Sequence, residues 1–429
     1  MTSDGDPLAA DVRSAYLPRV MDSKISKALS VFGGVLITGP RYCGKSWTGL
    51  RHSNSALFLG NEDANSFAAL NPMDALEGER PRLIDEWQDV PKLWDFARRD
   101  IDLSNRRGMY IFTGSSVPPS NSTSHTGIGR FARLQMKTMS LFESGDSDGS
   151  AKLSDLFRDG AVERRPSRMD YPRMVRLICR GGWPAAIGMD DGDAASMSQN
   201  YVQSIASMDL SRVDGRKRSA STASLVMKSL ARNNATLASV PTIAADVGGS
   251  GRGASELTVR SYIDALKKLF VIEEQPAWHP SLRSRTRVRS SPKRHFTDPS
   301  LAAAALGASH EILMRDTRTA GLLFESLCYR DLSVYASAVG GRVFHYRDDS
   351  GLEADAIVEL DDGRWGAAEV KLGYFEFDKA AANLIRLKEK MIAGGAPDPS
   401  FLMILSASGG GSRVRPDGVA EVPVDLLGP

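Results

Sequence analysis

Residues 37–47, ITGPRYCGKSW, constrain the fold of this chain more than any other segment. Residues 39–46 fit the pattern G-x-x-x-x-G-K-[ST], in which a glycine-rich loop surrounds phosphate groups with backbone N–H donors. The preceding run, GVLITG, is apolar and rich in β-branched residues, so it predicts a buried parallel strand. A helix can begin near Lys45. This strand–loop–helix context favours a nucleotide site over a simple glycine turn, which would have no need of Lys45 and Ser46.

The loop predicts ATP and Mg²⁺ as its ligands. Lys45 is expected to reach the β- and γ-phosphates, and the Ser46 hydroxyl is expected to bind Mg²⁺. The residues expected to contact the nucleotide are Gly39, Pro40, Arg41, Tyr42, Cys43, Gly44, Lys45, Ser46 and Trp47, with Thr113 and Ser115 further along the chain.

An acidic pair follows a second strand candidate. Residues 55–60, SALFLG, predict a strand, and residues 80–91, RPRLIDEWQDVP, predict another that ends at Asp85 and Glu86. Asp85 is expected to hold the Mg²⁺, and Glu86 is expected to polarise the attacking water. The alternative is a solvated acidic turn.

Two later segments complete the predicted catalytic set. Residues 108–116, GMYIFTGSS, predict a strand whose hydroxyl residues Thr113 and Ser115 sense the γ-phosphate, or else cap a helix or form a turn. Arg130 and Arg133 follow, and an arginine here can neutralise transition-state charge within the chain or from a neighbouring subunit. A surface arginine is the alternative. We take Lys45, Asp85, Glu86 and Arg130 as the catalytic candidates. The strand order resembles the additional-strand class of P-loop ATPases.

Bulk composition excludes several classes of protein. The 429 residues are too many for one ordinary core, and 42% hydrophobic with 25% charged residues is typical of a globular protein. A formal net charge of +2 allows only local arguments for nucleic-acid binding. The cysteines Cys43, Cys179 and Cys328 lack metal-type spacing. With no signal-peptide pattern and no apolar run near 20 residues, the expectation is a cytoplasmic protein without membrane contact.

The middle of the chain resembles a winged helix-turn-helix. Two short apolar-faced helices are followed by residues 255–272, SELTVRSYIDALKKLFVI, whose Leu257, Ile263, Leu266 and Leu269 have helical spacing. In DNA-binding versions the third helix enters the major groove, where Arg260, Lys267 and Lys268 would face the DNA. A protein-interaction or packing module is the alternative.

The most basic segment comes next. Residues 279–296, HPSLRSRTRVRSSPKRHF, contain six cationic residues and no acidic one. At strand spacing the odd-numbered arginines would share a face suited to phosphate contacts, and a charge-guarded strand edge or solvated loop is the alternative. The cationic residues are Arg283, Arg285, Arg287, Arg289, Lys293 and Arg294.

The last third resembles the core of the PD-(D/E)XK nuclease fold. A helix carries Glu325, a strand carries Asp355, and another strand carries Glu369 and Lys371 at i, i+2 on one face. Asp355 and Glu369 are expected to share Mg²⁺, with Glu325 and Lys371 nearby. Ala354 stands where the named motif has proline. A retained fold with buried ion pairs and no cleavage is the alternative.

Several segments in fixed order resemble bacterial and archaeal AAA-type ATPases that carry a C-terminal domain of unknown function. They include GPRYCGKS, IDEWQDVPKLWDFARRDID, FTGSS, GRFARL, RGGWPAA, SPKRHFTDPSLAAAALG, HYRDDSGLEADAIVE and AAEVKLG, and the resemblance covers nearly the whole chain. Two departures occur. Ala185 stands where that family usually has an acidic residue after Pro184, and residues 143–155, ESGDSDGSAKLSD, are a polar insertion.

The expected fold class is α/β, with a P-loop ATPase core, a winged-helix module and a C-terminal restriction-endonuclease-like domain. The expected boundaries are 1–165 for the ATPase core, 166–215 for a helical lid, 216–310 for the winged helix and 311–429 for the nuclease-like domain. Two functions stay open. One is an ATP-hydrolysing protein that acts on nucleic acid, DNA in preference to RNA. The other is a nucleotide-switched protein that binds a protein partner and cleaves nothing. Self-association is compatible with either.

Overall fold

The computed structural model describes residues 15–115, 127–210, 213, 215–249, 254–281, 283–284, 287 and 290–429. The chain divides into two compact units. The first contains Met1–Thr138, Asp209–Lys217 and Lys268–Phe270, and the second contains Met139–Met208, Arg218–Lys267 and Val271–Pro429.

The first unit alternates short strands with helices. Its elements are α1 (Asp22–Val31), β1 (Gly34–Thr38), α2 (Lys45–Arg51), β2 (Ser55–Phe58), α3 (Glu62–Leu70), α4 (Pro72–Leu76), β3 (Arg82–Asp85), α5 (Lys92–Ser104), β4 (Tyr110–Gly114) and β5 (Phe131–Gln135). A 3₁₀ turn, Trp87–Asp89, follows β3.

These five strands form one parallel sheet in the order β2-β3-β4-β1-β5. β4 lies between β1 and β3, with Tyr110 in register with both Gly34 and Arg82. All carboxyl ends of the strands meet at one edge, where ligands of open α/β sheets bind. The phosphate-loop sequence and the Asp85–Glu86 pair both follow strands at this edge, so the expected mixed α/β core with a parallel sheet is confirmed.

An aromatic cluster fills one side of this sheet. In α5, Leu93, Trp94, Ala97 and Ile101 are buried at helical spacing. The Trp94 ring stacks on Phe131 of β5 with centroids 4.1 Å apart. Such large buried rings contribute much of the packing energy of a small core and hold α5 against the sheet.

The second unit begins with helices. Its elements up to residue 315 are β6 (Ala151–Lys152), α6 (Leu153–Asp159), α7 (Tyr171–Arg180), α8 (Asp191–Ser204), α9 (Ala220–Arg232), α10 (Val240–Gly248), α11 (Glu256–Lys268), β7 (Ile272–Gln275), β8 (Lys293–Phe296), α12 (Pro299–Leu306) and α13 (His310–Arg315). A π-helical segment, Ile205–Asp209, follows α8.

The rest of the second unit, from residue 317 onward, is built around a mixed sheet. Its elements are α14 (Thr317–Ala338), β9 (Gly341–Arg347), β10 (Glu353–Leu360), β11 (Trp365–Lys371), α15 (Phe377–Ala393), β12 (Leu402–Ser406), β13 (Arg413–Val414), β14 (Ala420–Pro423) and β15 (Leu427–Gly428). The sheet order is β13-β14-β12-β11-β10-β9. β9, β10 and β11 are an antiparallel meander, and β12 joins β11 in parallel after the crossover helix α15.

The predicted winged-helix segment contains three helices, α9 to α11, followed by the antiparallel pair β7 and β8. Val259, Ile263 and Leu266 of α11 are buried, as their spacing indicates. Leu257 is 79% exposed, which corrects its place on the apolar face. It lies in the first turn of α11, before the buried stripe begins. The identity of this segment as a winged helix stays a prediction.

The polar insertion has a structural role in the second unit. Within it, Ala151 and Lys152 form β6, which pairs in parallel with β15 near the end of the chain. The Ser147 hydroxyl donates to the Leu427 carbonyl at 2.6 Å. The insertion therefore contributes to the packing of the second unit.

The GGWP segment is held by a buried ionic network in the same unit. The N–H of Gly182 donates to Asp298 at 2.9 Å. Arg330 pairs with Asp298 at 3.1 Å and with Asp331 at 2.8 Å. All three charged side chains are buried, so the pairs must compensate one another.

Two further features concern the cysteines and the helices of the described residues. Cys43, Cys179 and Cys328 are buried free thiols. Among the described residues, no helix combines the length and apolar character needed to cross a bilayer.

Candidate functional site

The phosphate-loop sequence forms a tight loop at the end of β1. Gly39 has φ 154° and Gly44 has φ 101°, conformations that favour glycine. A Cβ at Gly39 would lie 2.3 Å from the Met136 carbonyl oxygen, so no side chain fits there. The buried Arg19 guanidinium donates to the carbonyl oxygen of Cys43 at 2.8 Å and supports the loop from behind.

Lys45 points back into this loop. Its Nζ donates to the Pro40 carbonyl at 2.7 Å, and the residue is 5% exposed. A buried ammonium held inside a glycine-rich loop is placed to meet a polyphosphate anion. In contrast to Lys45, two neighbouring aromatic side chains are exposed to solvent, Tyr42 by 70% and Trp47 by 43%. Both side chains lie at the protein surface, Tyr42 in the loop and Trp47 in α2.

Ser46 and Asp85 lie together although 39 positions separate them. The Ser46 hydroxyl donates to Asp85 Oδ1 at 2.9 Å, and Thr113 also donates to that oxygen. Burial raises the pKa of Asp85, although the hydrogen bonds from Thr113 and Ser46 oppose the shift. A hydroxyl and a buried carboxylate are hard oxygen donors of the kind Mg²⁺ prefers, so these residues fit the expected ion.

Glu86 is held in an unusual backbone conformation. Its φ is 55°, in the left-handed region that non-glycine residues rarely adopt and that is often found at functional sites. The carboxylate accepts hydrogen bonds from Gln88 Nε2 and, at 3.3 Å, from the Ser115 hydroxyl. Thr113 and Ser115 thus contact the two acidic residues, and their role as phosphate sensors stays a prediction.

The structure corrects one role expected for Arg130. The residue precedes β5, and its carbonyl accepts from the N–H of Gly34, the first residue of β1. It therefore lies at the edge of the sheet opposite the phosphate loop, a strand length of roughly 16 Å away. Its guanidinium pairs with Asp102 at 2.7 Å. This placement excludes a contact with the nucleotide of the same chain, and action on a neighbouring subunit stays a prediction.

Two other arginines have contacts that the sequence did not reveal. Arg133 lies in β5 with its guanidinium carbon 5.9 Å from the Trp94 ring centroid. Arg41, in the phosphate loop, pairs with the buried Asp209 at 2.7 Å. This pair joins the loop to a segment 168 positions away, a distance at which no sequence pattern indicates contact.

The second unit brings the four C-terminal candidates together. Lys371 Nζ lies 2.7 Å from Glu369 and 3.7 Å from Asp355. The N–H of Val370 donates to Asp355 at 2.8 Å, and Asn383 of α15 donates to Glu369. The antiparallel pairing of β10 and β11 and the helix α15 therefore bring the Asp and the Glu-x-Lys residues together at one place.

Lys293 also belongs to this cluster, although the sequence predicts it as part of the basic segment. Its Nζ lies 2.6 Å from Glu325 and 3.5 Å from Asp355, and the residue is 7% exposed. Its basic neighbours in the sequence predict a surface position, which the structure corrects. The alternation in KRHF, where Lys293 and His295 are buried and Arg294 is less so, is the signal that could have shown its inward direction.

The charges of this cluster are nearly balanced. Burial, and then the charge of Asp355, raises the pKa of Glu325 to about 7 and that of Glu369 to about 7. Burial alone would raise the pKa of Asp355, but Lys293 and Lys371 reverse the shift and lower it. Three carboxyls share two ammonium groups.

This arrangement leaves little room for a preformed divalent site. In the part of the chain that the structure describes, no group of three or more His, Cys, Asp or Glu residues is arranged to hold a metal ion. Lys293 and Lys371 lie between the carboxylates that would have to share the ion. The residues fit a lysine-neutralised cluster more closely than a ready Mg²⁺ site, and the metal role of Asp355 and Glu369 stays a prediction.

Among the described residues of the basic segment, only Lys293–Phe296 form a strand, β8, and neither Arg283 nor Arg287 lies in a strand, which corrects the predicted shared face for these two arginines. Both terminal nitrogens of Arg287 donate hydrogen bonds to the Glu359 carboxylate, at 3.0 and 2.6 Å, and its Nε donates to the His279 carbonyl. Arg294 donates to the Ala238 carbonyl at 2.7 Å. Arg283 is exposed, and Arg285 and Arg289 lie outside the described residues. Much of this positive charge is thus used within the second unit.

Comparison with known proteins supports the class that the first unit indicates. A family model described as an AAA domain matches residues 32–144, the range that holds the sheet, the loop and the acidic pair. Residues 32–144 are therefore similar to the AAA domains that this model describes. Two models described as domains of unknown function, DUF8612 and DUF4143, match residues 172–311 and 320–409. No curated protein matches the chain.

Several solved structures are also similar to the chain. A Walker-type ATPase of Pyrococcus abyssi has 14% identity and a TM-score of 0.43, covering 68% of this chain and 97% of that one. The RuvB Holliday junction branch migration motor of Thermotoga maritima has 14% identity and a TM-score of 0.27, covering 60% and 89%. AMPPCP-bound DnaA of Aquifex aeolicus has 13% identity and a TM-score of 0.27, covering 62% and 89%.

Proposed function

We propose that this protein binds and hydrolyses ATP at the carboxyl edge of the first sheet. The observation that carries the proposal is the contact between Ser46 and Asp85 at 2.9 Å, beside a loop that buries Lys45. Ser46 and Asp85 would hold Mg²⁺, which supplies charge neutralisation on the phosphates when bound. Lys45 binds the β- and γ-phosphates, and its positive charge stabilises the negative charge that develops there.

Glu86 supplies the proton acceptor in this proposal. A carboxylate can take a proton from water that attacks the γ-phosphorus, and Gln88 and Ser115 orient it for that task. ATP binding is tested by titrating the full chain with a fluorescent ATP analogue, with Mg²⁺ and with EDTA. Saturable binding that weakens in EDTA and is lost in Lys45→Ala supports the site. Equal binding by Lys45→Ala would contradict it.

We further propose that nucleotide state is coupled to nucleic acid through the second unit. The support is the helix–meander–helix–strand order of α14 to β12, with Asp355, Glu369 and Lys371 brought together at one place. The three helices and two strands that precede it, α9 to β8, are compatible with a winged helix that binds duplex DNA.

A second candidate function is favoured by Lys293. An ammonium 2.6 Å from Glu325 and 3.5 Å from Asp355 compensates the carboxylates internally, as a non-cleaving scaffold requires. In that case the nucleotide would switch the binding of a protein partner. Incubation of labelled DNA and RNA with the full chain, with and without ATP and Mg²⁺, separates the two. Cleavage that Asp355→Asn eliminates supports the first, and intact substrate under all conditions supports the second.

A further inference from the structure

The second unit contains a cavity of about 460 Å³ that none of the groups described above uses. Its volume lies within the range of roughly 300–1,000 Å³ that small-molecule sites occupy. The walls come from Arg164 and its neighbours, from the start of α15, and from the glycine-rich loop SGGGS that follows β12.

A buried hydroxyl without a partner lines this cavity. Ser406, the last residue of β12, is 1% exposed, and its Oγ has no hydrogen-bond partner among the described residues. Leaving a buried polar group unsatisfied costs free energy, because the group gives up its hydrogen bonds to water and gains none in return. A ligand atom that accepts or donates a hydrogen bond in the cavity would remove that cost.

The loop beside Ser406 offers a row of backbone donors. The N–H groups of Gly409, Gly410 and Gly411 bond to no acceptor in the described part of the chain. Gly409 has φ 144° and Gly411 has φ 142°, and a Cβ at Gly411 would lie 2.0 Å from the Arg165 carbonyl oxygen. Only glycine at position 411 allows the loop to pass this close to the Arg165 backbone. Successive N–H groups without an acceptor, like those of Gly409 to Gly411 among the described residues, form a site that binds anions.

The charges around the cavity also favour an anion. Arg164 lines it, is exposed, and forms no ion pair among the described residues. Glu421 is the acidic residue of the lining, and it is already paired with Arg413 at 2.6 Å and Arg415 at 3.1 Å. The lining therefore attracts negative charge at Arg164.

An aromatic ring at the lining suggests what carries the anion. Tyr374 lines the cavity and is 62% exposed, so one face of its ring is available for stacking. Stacking of a nucleobase on an aromatic ring is favourable and tolerates any base, because every base has a π-face. We propose that this cavity binds one nucleoside monophosphate unit, with the phosphate on Ser406, Arg164 and the glycine N–H groups and the base on Tyr374. The unit is either a free mononucleotide or the 5′-terminal nucleotide of a strand.

The test uses the full chain and measures binding of AMP, of inorganic phosphate and of an oligonucleotide with or without a 5′-phosphate. Ser406→Ala removes the hydroxyl, and Arg164→Gln removes the charge. Arg386→Gln, an exposed arginine of α15 outside the cavity, is the matched control. Lys45→Ala is measured in parallel, because AMP bound at the first site would be lost in that variant.

We expect AMP or the 5′-phosphorylated strand to bind at least ten times more weakly to Ser406→Ala and Arg164→Gln, and equally to Arg386→Gln and Lys45→Ala. Tighter binding of AMP identifies a free nucleotide, and a preference for the 5′-phosphorylated strand over the 5′-hydroxyl one identifies a strand end. The melting temperature of Ser406→Ala without ligand should not fall, since the hydroxyl has no partner to lose. Ser412→Ala should lower it, because that hydroxyl donates to the Glu163 carbonyl at 2.5 Å. No binding at millimolar ligand, or binding that Lys45→Ala loses and Ser406→Ala and Arg164→Gln retain, would overturn the proposal.

Discussion

The Ser46 hydroxyl lies 2.9 Å from Asp85 Oδ1, and this contact joins the loop after β1 to the end of β3. β1 and β3 are not neighbours, because β4 lies between them. The Thr113 hydroxyl of β4 donates to the same Asp85 oxygen, so three strands of the parallel sheet contribute to one group of oxygen atoms. The parallel sheet makes this possible, since it brings the carboxyl ends of all three strands to one edge.

Changing Glu86 to Gln should separate ATP binding from ATP hydrolysis. The amide keeps the shape and the contacts of the side chain but cannot accept a proton, so turnover should fall by ~10²-fold or more while ATP still binds. Steady-state turnover and a binding titration measure the two. Glu62→Gln, an exposed residue of α3, is the matched control and should leave both unchanged. Equal losses of binding and turnover in Glu86→Gln would mean that Glu86 is structural.

Removing Lys293 should make the carboxylate cluster a better cation site. In Lys293→Met, Glu325 and Asp355 lose the ammonium that lies between them. Mg²⁺ should then raise the melting temperature of the variant more than that of the wild type, because two carboxylates are released to bind a hard cation. Lys379→Met, at an exposed position of α15, should respond like the wild type.

The same melts decide the role of Asp355. A Mg²⁺ shift in the wild type that Asp355→Asn abolishes supports a working metal site, as the nuclease hypothesis requires. No Mg²⁺ shift in either the wild type or Lys293→Met would contradict a cation site in this cluster.

Two arginines of the basic segment should behave differently. Arg287 is paired twice with Glu359, so Arg287→Gln should destabilise the protein by about 1–3 kcal/mol, seen as a lower melting temperature. Exposed Arg283 has no such partner among the described residues, and Arg283→Gln should leave stability unchanged. If the segment contacts nucleic acid, Arg283→Gln should lower the salt slope of binding by ~1. An equal stability loss in both variants would contradict the internal role of Arg287.

His345 should make stability depend on pH. Burial, together with the positive charge of Lys293, lowers the pKa of His345 to about 4. The imidazole in the unfolded chain, with an ordinary pKa near 6.5, then binds more protons between pH 4 and 6.5, so the contribution of His345 to stability is complete above this window and is lost as the pH falls through it. The loss reaches about 3 kcal/mol for a shift of this size.

His345→Gln should flatten that dependence. The amide can still donate to the Ser291 carbonyl, which lies 3.2 Å from Nε2 of His345, but it does not titrate. Urea unfolding at several pH values between 4 and 7 measures the slope. The same slope in the variant and the wild type would show that His345 is not its source.

Local patterns were sufficient to predict the parallel sheet of the first unit, but not the boundaries of the unit, which were expected at residues 1 and 165. The β-branched run, the glycines and the Lys45–Ser46 pair lie within a dozen positions of one another. In a parallel sheet the carboxyl ends of all strands lie at the same edge, so the residues that follow them come close together. Strand alternation likewise predicts that Glu369 and Lys371 share one face of β11, whereas their contact with Asp355 depends on the pairing of β10 with β11. The expected contact of Arg130 with the nucleotide of the same chain was wrong, because a position next to β5 in the sequence does not show whether the residue lies at the edge of the sheet with the phosphate loop or at the opposite edge.

Other contacts could not be predicted because their partners are remote in sequence. Lys293 and Glu325 are 32 positions apart, and Arg41 and Asp209 are 168 apart. Lys293 belongs to a segment with five other cationic residues, a composition typical of a protein surface. Only the packing in the structure shows that Lys293 is buried. The unpartnered Ser406 hydroxyl is likewise visible only from the structure, since a serine at the end of a strand is ordinarily paired or solvated.

The most direct test of ATP hydrolysis at the Ser46–Asp85 site is Mg²⁺-dependent ATP turnover by the wild type and by Lys45→Ala, with Lys92→Ala as the control. Lys45 is buried in the phosphate loop, whereas Lys92 is exposed at the start of α5 in the same unit. The wild type and Lys92→Ala should hydrolyse ATP at equal rates that fall to background in EDTA. Lys45→Ala should show no turnover above background while its melting temperature stays within a few degrees of the wild type. Turnover by Lys45→Ala at the wild-type rate would contradict a nucleotide site in this loop.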